Sequence, residues 1–357
     1  SCLLENLLGT ERFYQYASNQ PIQYLPLRSQ QPKRHVKMTI QNTKTFRPDE
    51  RGLIEAVDAL RGGGLVAFPT ETVYGLGADA QNDNAIANIY AAKGRPQFNP
   101  LIAHFSDISQ AKRHVKWSNI ANQLAETLWP GPLTLVLERH SKSNLSQLLS
   151  AGLPSVAIRI PAHPIAKHLL VNLGRPIAAP SANISGQTSP TRPEHVHADL
   201  FGRIDGIVDG GACQVGLEST IIDLTGVPTL LRPGGIPADI IEELILTRLA
   251  IVQSSDAIRA PGQLASHYAP RANLRLNANT KGANEIMLGF GPVECDLNLS
   301  TTSDLVEAAG NLFSSLHILD GDNATSIAVS PIPEIGLGIA INDRLRRAAA
   351  PRPANNQ

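Results

Sequence analysis

Apolar residues recur along the chain in two spacings, one typical of helices and one typical of buried strands. Residues 49–62 carry four apolar positions at helical spacing and end at Gly62, which predicts a helix there: Leu53, Ile54, Val57 and Leu60. Residues 65–68 are continuously apolar and end at Pro69, which predicts a buried strand.

The same two patterns continue to about residue 250. They predict four more helices: one that begins at an Asp83 cap, one that ends near Trp129, one over 165–170 and one from Pro237 to about residue 250. They predict strands at 101–105, 133–137, 156–160, 177–179, 221–224 and 230–231. Strands and helices that mingle in this way predict one α/β layered domain over residues 48–250.

A second, smaller domain is expected after a linker. Residues 251–272 lack clear periodicity and contain APGQLASHYAP, so they are interpreted as the linker. An apolar strand at 286–290, a helix at 303–316 and a tail at 342–347 predict a small α/β domain over 273–347. The chain has 357 residues, 42% of them hydrophobic, which is enough for two cores.

Residues 1–47 are expected to be a leader. Seven basic residues and no acid lie between Glu11 and Asp49, a composition found in organellar transit peptides. Serine is not enriched and Glu5 interrupts the basic character, which favours a disordered segment, with Met38 as an alternative start. Organelle targeting therefore stays open beside a cytoplasmic location.

Charge and cysteine content exclude several classes of protein. Lys plus Arg and Asp plus Glu both number 31, so the chain does not coat nucleic acid by net charge. Three scattered cysteines form neither a disulfide framework nor a metal motif, which favours a reducing compartment. No apolar run reaches the roughly 18 residues of a membrane helix, and P-loop, HExxH, CxxC and GxSxG motifs do not occur.

Small, polar loops follow or precede most of the predicted strands. Their sequences are PTETVYGLG, KGRPQFNP, APSANISG, GLEST and RPGG. Loops at strand ends carry function more often than the strands themselves. Five such loops predict a composed pocket, although turn chemistry alone could account for any one of them.

Two cations in KGRPQFNP indicate an anion site. Lys93 falls at a helix C-terminus, where the dipole alone favours a cation, but Arg95 precedes Pro96 and is held extended. A lysine and an arginine without a nearby acid suit a polyphosphate, and Arg232 in RPGG is a third cation. Arg159 interrupts the apolar run VAIRIP, so it needs either an ion-pair partner or a ligand carboxylate.

Seven motifs in order give the chain a recognisable family resemblance. PTETVYGLGADA, KGRPQFNPLIAHF, WPGPLTLVL, SVAIRIPAHP, APSANISG, GLEST and LLRPGG resemble the threonylcarbamoyl-AMP synthase family over about residues 48–245. The linker motif SHYAP and the tail resemble the longer form of that family. The resemblance implies a YrdC-like fold, with a twisted mixed sheet and helices, followed by a linker and a small Rossmann-like α/β domain.

The implied activity is that of a nucleotidyltransferase. L-threonine and bicarbonate give a carbamate, which attacks the α-phosphorus of ATP to form threonylcarbamoyl-AMP and pyrophosphate. A separate transferase then uses this product to make threonylcarbamoyladenosine in tRNA. Mg²⁺ is expected to be bound through the ATP phosphates, with no metal-ligating side chain, and a direct tRNA contact is left open.

The resemblance assigns thirteen residues to two groups. Positions that match nucleotide contacts in the family are Lys93, Arg95, Asn99, Ser155, Ser181, Asn183, Arg232 and Tyr268. Positions that match threonine contacts are Thr72, His104, Arg159, Ala179 (through its backbone) and Ser219. Lys93 and Arg95 form the Lys-x-Arg motif and would be catalytic, stabilising charge as pyrophosphate leaves. Tyr268 would close over the nucleotide as part of a lid.

Two other functions remain as alternatives. The concave cationic face of a YrdC-like fold also suits a non-catalytic module that binds double-stranded RNA, although the cations here concentrate in a few loops. A carbamoyltransferase of hydrogenase maturation is disfavoured, because the chain lacks the acylphosphatase and zinc-finger segments of such proteins.

Overall fold

The computed structural model describes residues 42–252, 259–264, 266–321 and 325–352. The expectations for residues 1–41 of the leader and for residues 253–258 and 265 of the linker lie outside these ranges. No helix in the described ranges is long and apolar enough to cross a membrane.

A large mixed sheet forms the first part of the fold. Its described strands are β1 Lys44–Phe46, β2 Val66–Pro69, β3 Tyr74–Asp79, β4 Ile102–His104, β5 Leu133–Glu138, β6 Ser155–Arg159, β7 Ile177–Ala178, β8 Gly206–Val208, β9 Thr220–Asp223, β10 Thr229–Arg232 and β11 Ala250–Ile251. They lie in the order β1-β8-β2-β3-β7-β4-β6-β5-β9-β10-β11. Parallel pairs such as β4 with β6 alternate with antiparallel pairs such as β5 with β6, as expected for a mixed α/β sheet.

Helices cover both faces of this sheet. They are α1 Glu50–Arg61, α2 Asp83–Lys93, α3 Ile108–Lys112, α4 Asn119–Leu128, α5 Pro164–Leu173, α6 Pro193–Leu200 and α7 Ala238–Ile245. Alternate residues of a strand point to opposite faces. Accordingly Ala67 packs with Ile86 of α2, whereas Val66 and Phe68 pack with α1 and α5 on the other face.

Local signals at the two ends of α2 place the cationic loop. Asn82 caps the helix, because its side chain accepts hydrogen bonds from the backbone N–H groups of Asn84 and Ala85. The cap is therefore one residue earlier than the predicted Asp83. Gly94 ends the helix in the left-handed region at φ 59°. Lys93 is consequently the last helical residue, and Arg95 is the first residue after the Gly94 cap.

Three differences from the expected elements have physical causes. β1 lies inside the predicted leader and pairs with β8, so the sheet begins before residue 48. β3 falls in PTETVYGLGADA, which was interpreted as a loop because its glycines resemble turn residues. Gly77 instead permits close pairing of β3 with β2, since a Cβ there would lie 2.7 Å from the Phe68 ring. α7 ends at Ile245, since Leu246 is left-handed and 88% exposed, and β11 follows.

A smaller parallel sheet forms the second part of the fold. Its described strands are β12 Asn273–Arg275, β13 Ile286–Gly289, β14 Leu297–Asn298 and β15 Ser326–Val329, in the order β12-β15-β13-β14. Helices α8 Leu305–Gly321 and α9 Leu337–Ala349 pack on it. The same apolar cluster includes Val73 and Leu217 of the large domain and Tyr268 of the linker. The two α/β layers thus share a core where the linker passes, and the α/β class is confirmed.

Candidate active site

The loops at the ends of the central strands enclose one cavity. Nine of the thirteen residues assigned from the sequence line it: Thr72, Arg95, His104, Arg159, Ala179, Ser181, Ser219, Arg232 and Tyr268. These residues come from eight separate loops and strand ends. Three more of the assigned residues lie directly behind the lining: Lys93, Asn99 and Asn183. Ser155 begins β6 opposite Glu138, and no described side-chain hydrogen bond joins it to the lining.

Lys93 is buried rather than displayed on an open loop. Its side chain is 1% exposed, and its ammonium group donates hydrogen bonds to the carbonyl oxygens of Ser181 and Asn183. Burial lowers the pKa of Lys93 well below its ordinary value, and the positive charge of Arg95 lowers it further, while Asp199 opposes the shift. Burial thus disfavours the charged form of Lys93, and an anion bound nearby would favour that form.

Arg95 is fixed by the loop that follows it. Its Nε donates to the carbonyl oxygen of Asn99 at 3.0 Å, and an Nη donates to that of Pro100 at 2.8 Å. Burial lowers the pKa of Arg95 to about 10, so the group remains charged at neutral pH. The guanidinium is held by two backbone carbonyls, and no acid neutralises it among the described salt bridges.

Arg232 is held in the same way at the end of β10. Its Nε and Nη2 donate to the carbonyl oxygen of Ser219 at 3.1 and 2.8 Å, and Nη2 also reaches the Ser219 hydroxyl at 3.1 Å. The Ser219 hydroxyl is 2.7 Å from that of Thr134. Burial lowers the pKa of Arg232 as well. Arg95 and Arg232 thus both line the cavity, and Lys93 lies directly behind the lining.

Arg159 is paired, as the ion-pair alternative for this buried arginine requires. Its Nη2 donates to the carboxylate of Glu71 at 2.7 Å, Nη1 donates to the Thr72 hydroxyl at 3.0 Å, and Nε donates to the Gly131 carbonyl at 3.2 Å. Glu71 was missed, although it stands beside Thr72 in PTET. Nearby, burial lowers the pKa of His104 to about 3, so its imidazole is neutral.

The linker covers the cavity. Pro261, Gly262, His267 and Tyr268 all line it, and Tyr268 is 1% exposed. A Cβ at Gly262 would lie 2.6 Å from the Tyr268 hydroxyl oxygen and 2.7 Å from Cδ of Arg232. The backbone of the linker therefore passes directly against the cationic site.

A second buried ion pair joins the two domains beside this cover. Nε of Arg344 in α9 donates to the carboxylate of Glu218 at 2.7 Å, and its guanidinium lies 4.9 Å from the centre of the Tyr268 ring. Neither charged residue was predicted from the sequence to belong to the site. A signal existed, because Arg344 falls on the apolar face of α9 beside Ile341 and Leu345.

Buried polar atoms without a hydrogen-bond partner collect around this cavity. Within the described ranges they are Nδ2 and Oδ1 of Asn99, Nδ1 of His104, Oδ1 of Asn183, Nδ1 of His267, the Tyr268 hydroxyl and Nη2 of Arg344, with His168 Nε2 elsewhere. Buried polar groups in native proteins are nearly always satisfied. Their concentration here indicates a site built for a polar, anionic ligand.

Comparison with known proteins places the chain among relatives of one kind. Residues 58–234 match the family model described as telomere recombination, and residues 236–350 match the model described as threonylcarbamoyl-AMP synthase, C-terminal domain. The threonylcarbamoyl-AMP synthase of Pyrococcus abyssi is 41% identical, covering 88% of this chain and 99% of its own. That of Bacillus subtilis is 39% identical, covering 84% of this chain and 93% of its own.

The fold agrees with a solved relative over most of its length. The crystal structure of P. abyssi Sua5 complexed with L-threonine superposes with a TM-score of 0.80 at 40% identity, covering 86% of this chain and 97% of that one.

Proposed function

The chain belongs to the threonylcarbamoyl-AMP synthase family and forms threonylcarbamoyl-AMP, and we propose that the cavity beneath the linker joins L-threonine, bicarbonate and ATP. The observation that carries the proposal is that the buried Arg95 and Arg232 line this cavity, with the buried Lys93 directly behind its lining. In a chain whose charges otherwise balance, this concentration of cations suits a triphosphate.

The reaction is a nucleotidyl transfer. An oxygen of the threonine carbamate attacks the α-phosphorus of ATP, the bond from that phosphorus to the bridging oxygen breaks, and pyrophosphate leaves. Both reactants are anions, so fixed positive charges lower the cost of bringing them together. The lowered pKa of Lys93 fits this role, because a bound phosphate restores the stability of its charged form.

The threonine subsite is proposed to centre on Arg159. A guanidinium has five N–H donors, and three of those of Arg159 are engaged by Gly131, Thr72 and Glu71. The two that remain can bind the threonine carboxylate. His104, which is neutral, Ala179 through its backbone and Ser219 complete this part of the cavity.

Binding and exclusion of water account for the rest of the mechanism. Asn99, Ser181 and Asn183 are proposed to contact the nucleotide, and Tyr268 to cover it. A threonine carbamate is short-lived in water, so a covered cavity favours its capture. Mg²⁺ is proposed to be bound through the ATP phosphates. A tRNA threonylcarbamoyl transferase would consume the product.

The alternative of an RNA-binding module is disfavoured by the burial of the cations. Phosphate contacts to RNA are spread over an exposed surface, whereas Lys93, Arg95 and Arg232 are each 6% exposed or less.

Mass identification of the product tests the function. Purified protein with ATP, bicarbonate and threonine should yield threonylcarbamoyl-AMP and equimolar pyrophosphate, with much less product when serine replaces threonine. Retention of RNA without threonine-dependent pyrophosphate release would support the alternative and contradict the enzyme.

A further inference from the structure

We propose that Arg344, in the C-terminal domain, is a positioning residue for adenylate formation: it neutralises Glu218 and holds Tyr268, so that the second domain completes the cavity built by the first. This inference deepens the proposed function and rests on it.

Arg344 lies where an arginine is costly. Its side chain is 0% exposed, and it occupies the apolar face of α9 together with Ile341, Leu345 and Ala348. A buried ion pair can often be replaced by apolar residues of similar volume with no loss of stability. Apolar residues at both 344 and 218 would therefore fill these positions equally well, and the charged pair calls for another explanation.

The charge of Arg344 compensates a carboxylate that lines the cavity. Nε of Arg344 donates to Glu218 Oε2 at 2.7 Å, and the hydroxyl of Ser189 donates to Oε1 at 2.5 Å. Glu218 faces the same cavity as Arg95 and Arg232. A bare carboxylate there would repel both the triphosphate and the carbamate, and Arg344 removes that repulsion.

Arg344 also fixes the aromatic cover. Its guanidinium stacks over the Tyr268 ring at 4.9 Å. Tyr268 has a positive φ of 63°, a conformation that a bulky residue adopts only when its surroundings hold it there. Phe313 of α8 packs against the ring at 5.7 Å. The second domain therefore encloses Tyr268 with one charged and one apolar contact.

The segment around Tyr268 is attached to both domains. On one side, Nη1 of Arg347 in α9 donates to the Leu264 carbonyl at 2.7 Å. On the other, the backbone N–H of Ala269 donates to the Gly186 carbonyl at 2.9 Å. Arg344 contacts Tyr268, one of the linker residues that line the cavity.

Replacement of Arg344 by methionine in the full-length protein tests the inference. Arg344→Met should lower kcat/KM for ATP by roughly tenfold or more, because misplacement of an active-site group by about 1 Å has effects of this size. The Kd for threonine measured without ATP should stay within about twofold. Hydrogen exchange over 266–270 should become faster, while exchange in β13 and β15 should stay unchanged.

Arg346→Met is the matched control. Arg346 lies on the same helix and pairs with Glu334, and both side chains are 55% exposed. Its replacement should change neither kinetics nor exchange. Arg344→Lys retains the charge without the planar fork and should recover part of the kcat/KM for ATP.

A double variant distinguishes the effect of an uncompensated Glu218 charge from a failure to fold. Should Arg344→Met fail to fold, the pair Glu218→Gln with Arg344→Met removes both charges and should fold. Where both variants fold, this double variant should bind ATP more tightly than the single variant Arg344→Met, which retains the Glu218 carboxylate. The double variant should still show fast hydrogen exchange over 266–270. Wild-type activity in either variant, or unchanged exchange at this segment, would overturn the inference. Absence of threonine-dependent pyrophosphate release from the wild-type protein would instead refute the proposed function itself.

Discussion

The carboxylate of Glu71 accepts a hydrogen bond from the guanidinium of Arg159 at 2.7 Å, and both side chains are less than a tenth exposed. The two residues lie 88 positions apart, at the ends of β2 and β6. Glu71 also accepts a hydrogen bond from the backbone N–H of Ala162 at 3.1 Å. The pair orients the arginine proposed to bind threonine, while leaving two of its donors for a ligand.

Removal of the Glu71 carboxylate should destabilise the protein. Glu71→Ala leaves Arg159 buried and uncompensated, so we expect the free energy of unfolding to fall by about 3 kcal/mol in urea denaturation. Glu334→Ala breaks an exposed pair with Arg346 and should cost no more than about 0.5 kcal/mol. Equal losses in the free energy of unfolding would show that the buried pair stabilises the fold no more than the exposed pair does.

A methyl group at Gly262 should displace the linker. In Gly262→Ala the new Cβ would meet the Tyr268 hydroxyl and Cδ of Arg232, both closer than 3 Å. We expect weaker ATP binding by calorimetry, since the covering segment must move. Gly152→Ala is the matched control, because Gly152 has a similar positive φ of 78° but no atom within 4 Å of such a Cβ. ATP affinity that falls equally in both variants would point to backbone strain alone.

Acidification should destabilise the fold partly through His104. The pKa of His104 lies at about 3 in the folded protein, below its ordinary value of 6.5, so the unfolded chain binds more protons between these two values. Stability is therefore fully present above about pH 6.5 and is lost as the pH falls towards 3. From about pH 7.5 to about pH 5.5 the loss from this residue should be about 1 kcal/mol.

The variant His104→Gln isolates this contribution. Glutamine does not titrate, so the difference between the unfolding free energies at the two pH values should shrink by about 1 kcal/mol relative to the wild type. An unchanged difference would mean that His104 does not remain neutral in the fold.

Loss of the Lys93 charge should abolish turnover without unfolding the protein. Lys93→Met removes a cation that burial disfavours but also the donor to the Ser181 and Asn183 carbonyls, so we expect the protein to fold with a loss of about 1–3 kcal/mol in the free energy of unfolding. Pyrophosphate release should fall at least roughly 100-fold. Lys112→Met, at an exposed position on α3, should leave the rate unchanged. Normal adenylate formation by Lys93→Met would remove Lys93 from the mechanism.

Local signals in the sequence predict one part of this site. Gly94 and Pro96 set the backbone on either side of Arg95, so both the helix end and the cationic loop follow from a few adjacent residues. The continuous apolar runs likewise predict β2, β5 and β6 within one or two residues.

Long-range pairing accounts for what the sequence did not predict. Glu218 and Arg344 lie 126 positions apart, and only the docking of the second domain brings them together. The partner of Arg159 was equally hidden, because PTET resembles a turn until β2 and β3 pair. Periodicity reports which face of an element is buried, but it does not report which buried charges meet.

The central claim is that the buried cations bind the triphosphate of ATP, and a crystal structure with a nonhydrolysable ATP analogue and threonine tests it most directly. We expect phosphate oxygens within hydrogen-bonding distance of Lys93, Arg95 and Arg232, beneath Tyr268. A phosphate chain bound away from these three side chains would contradict the account.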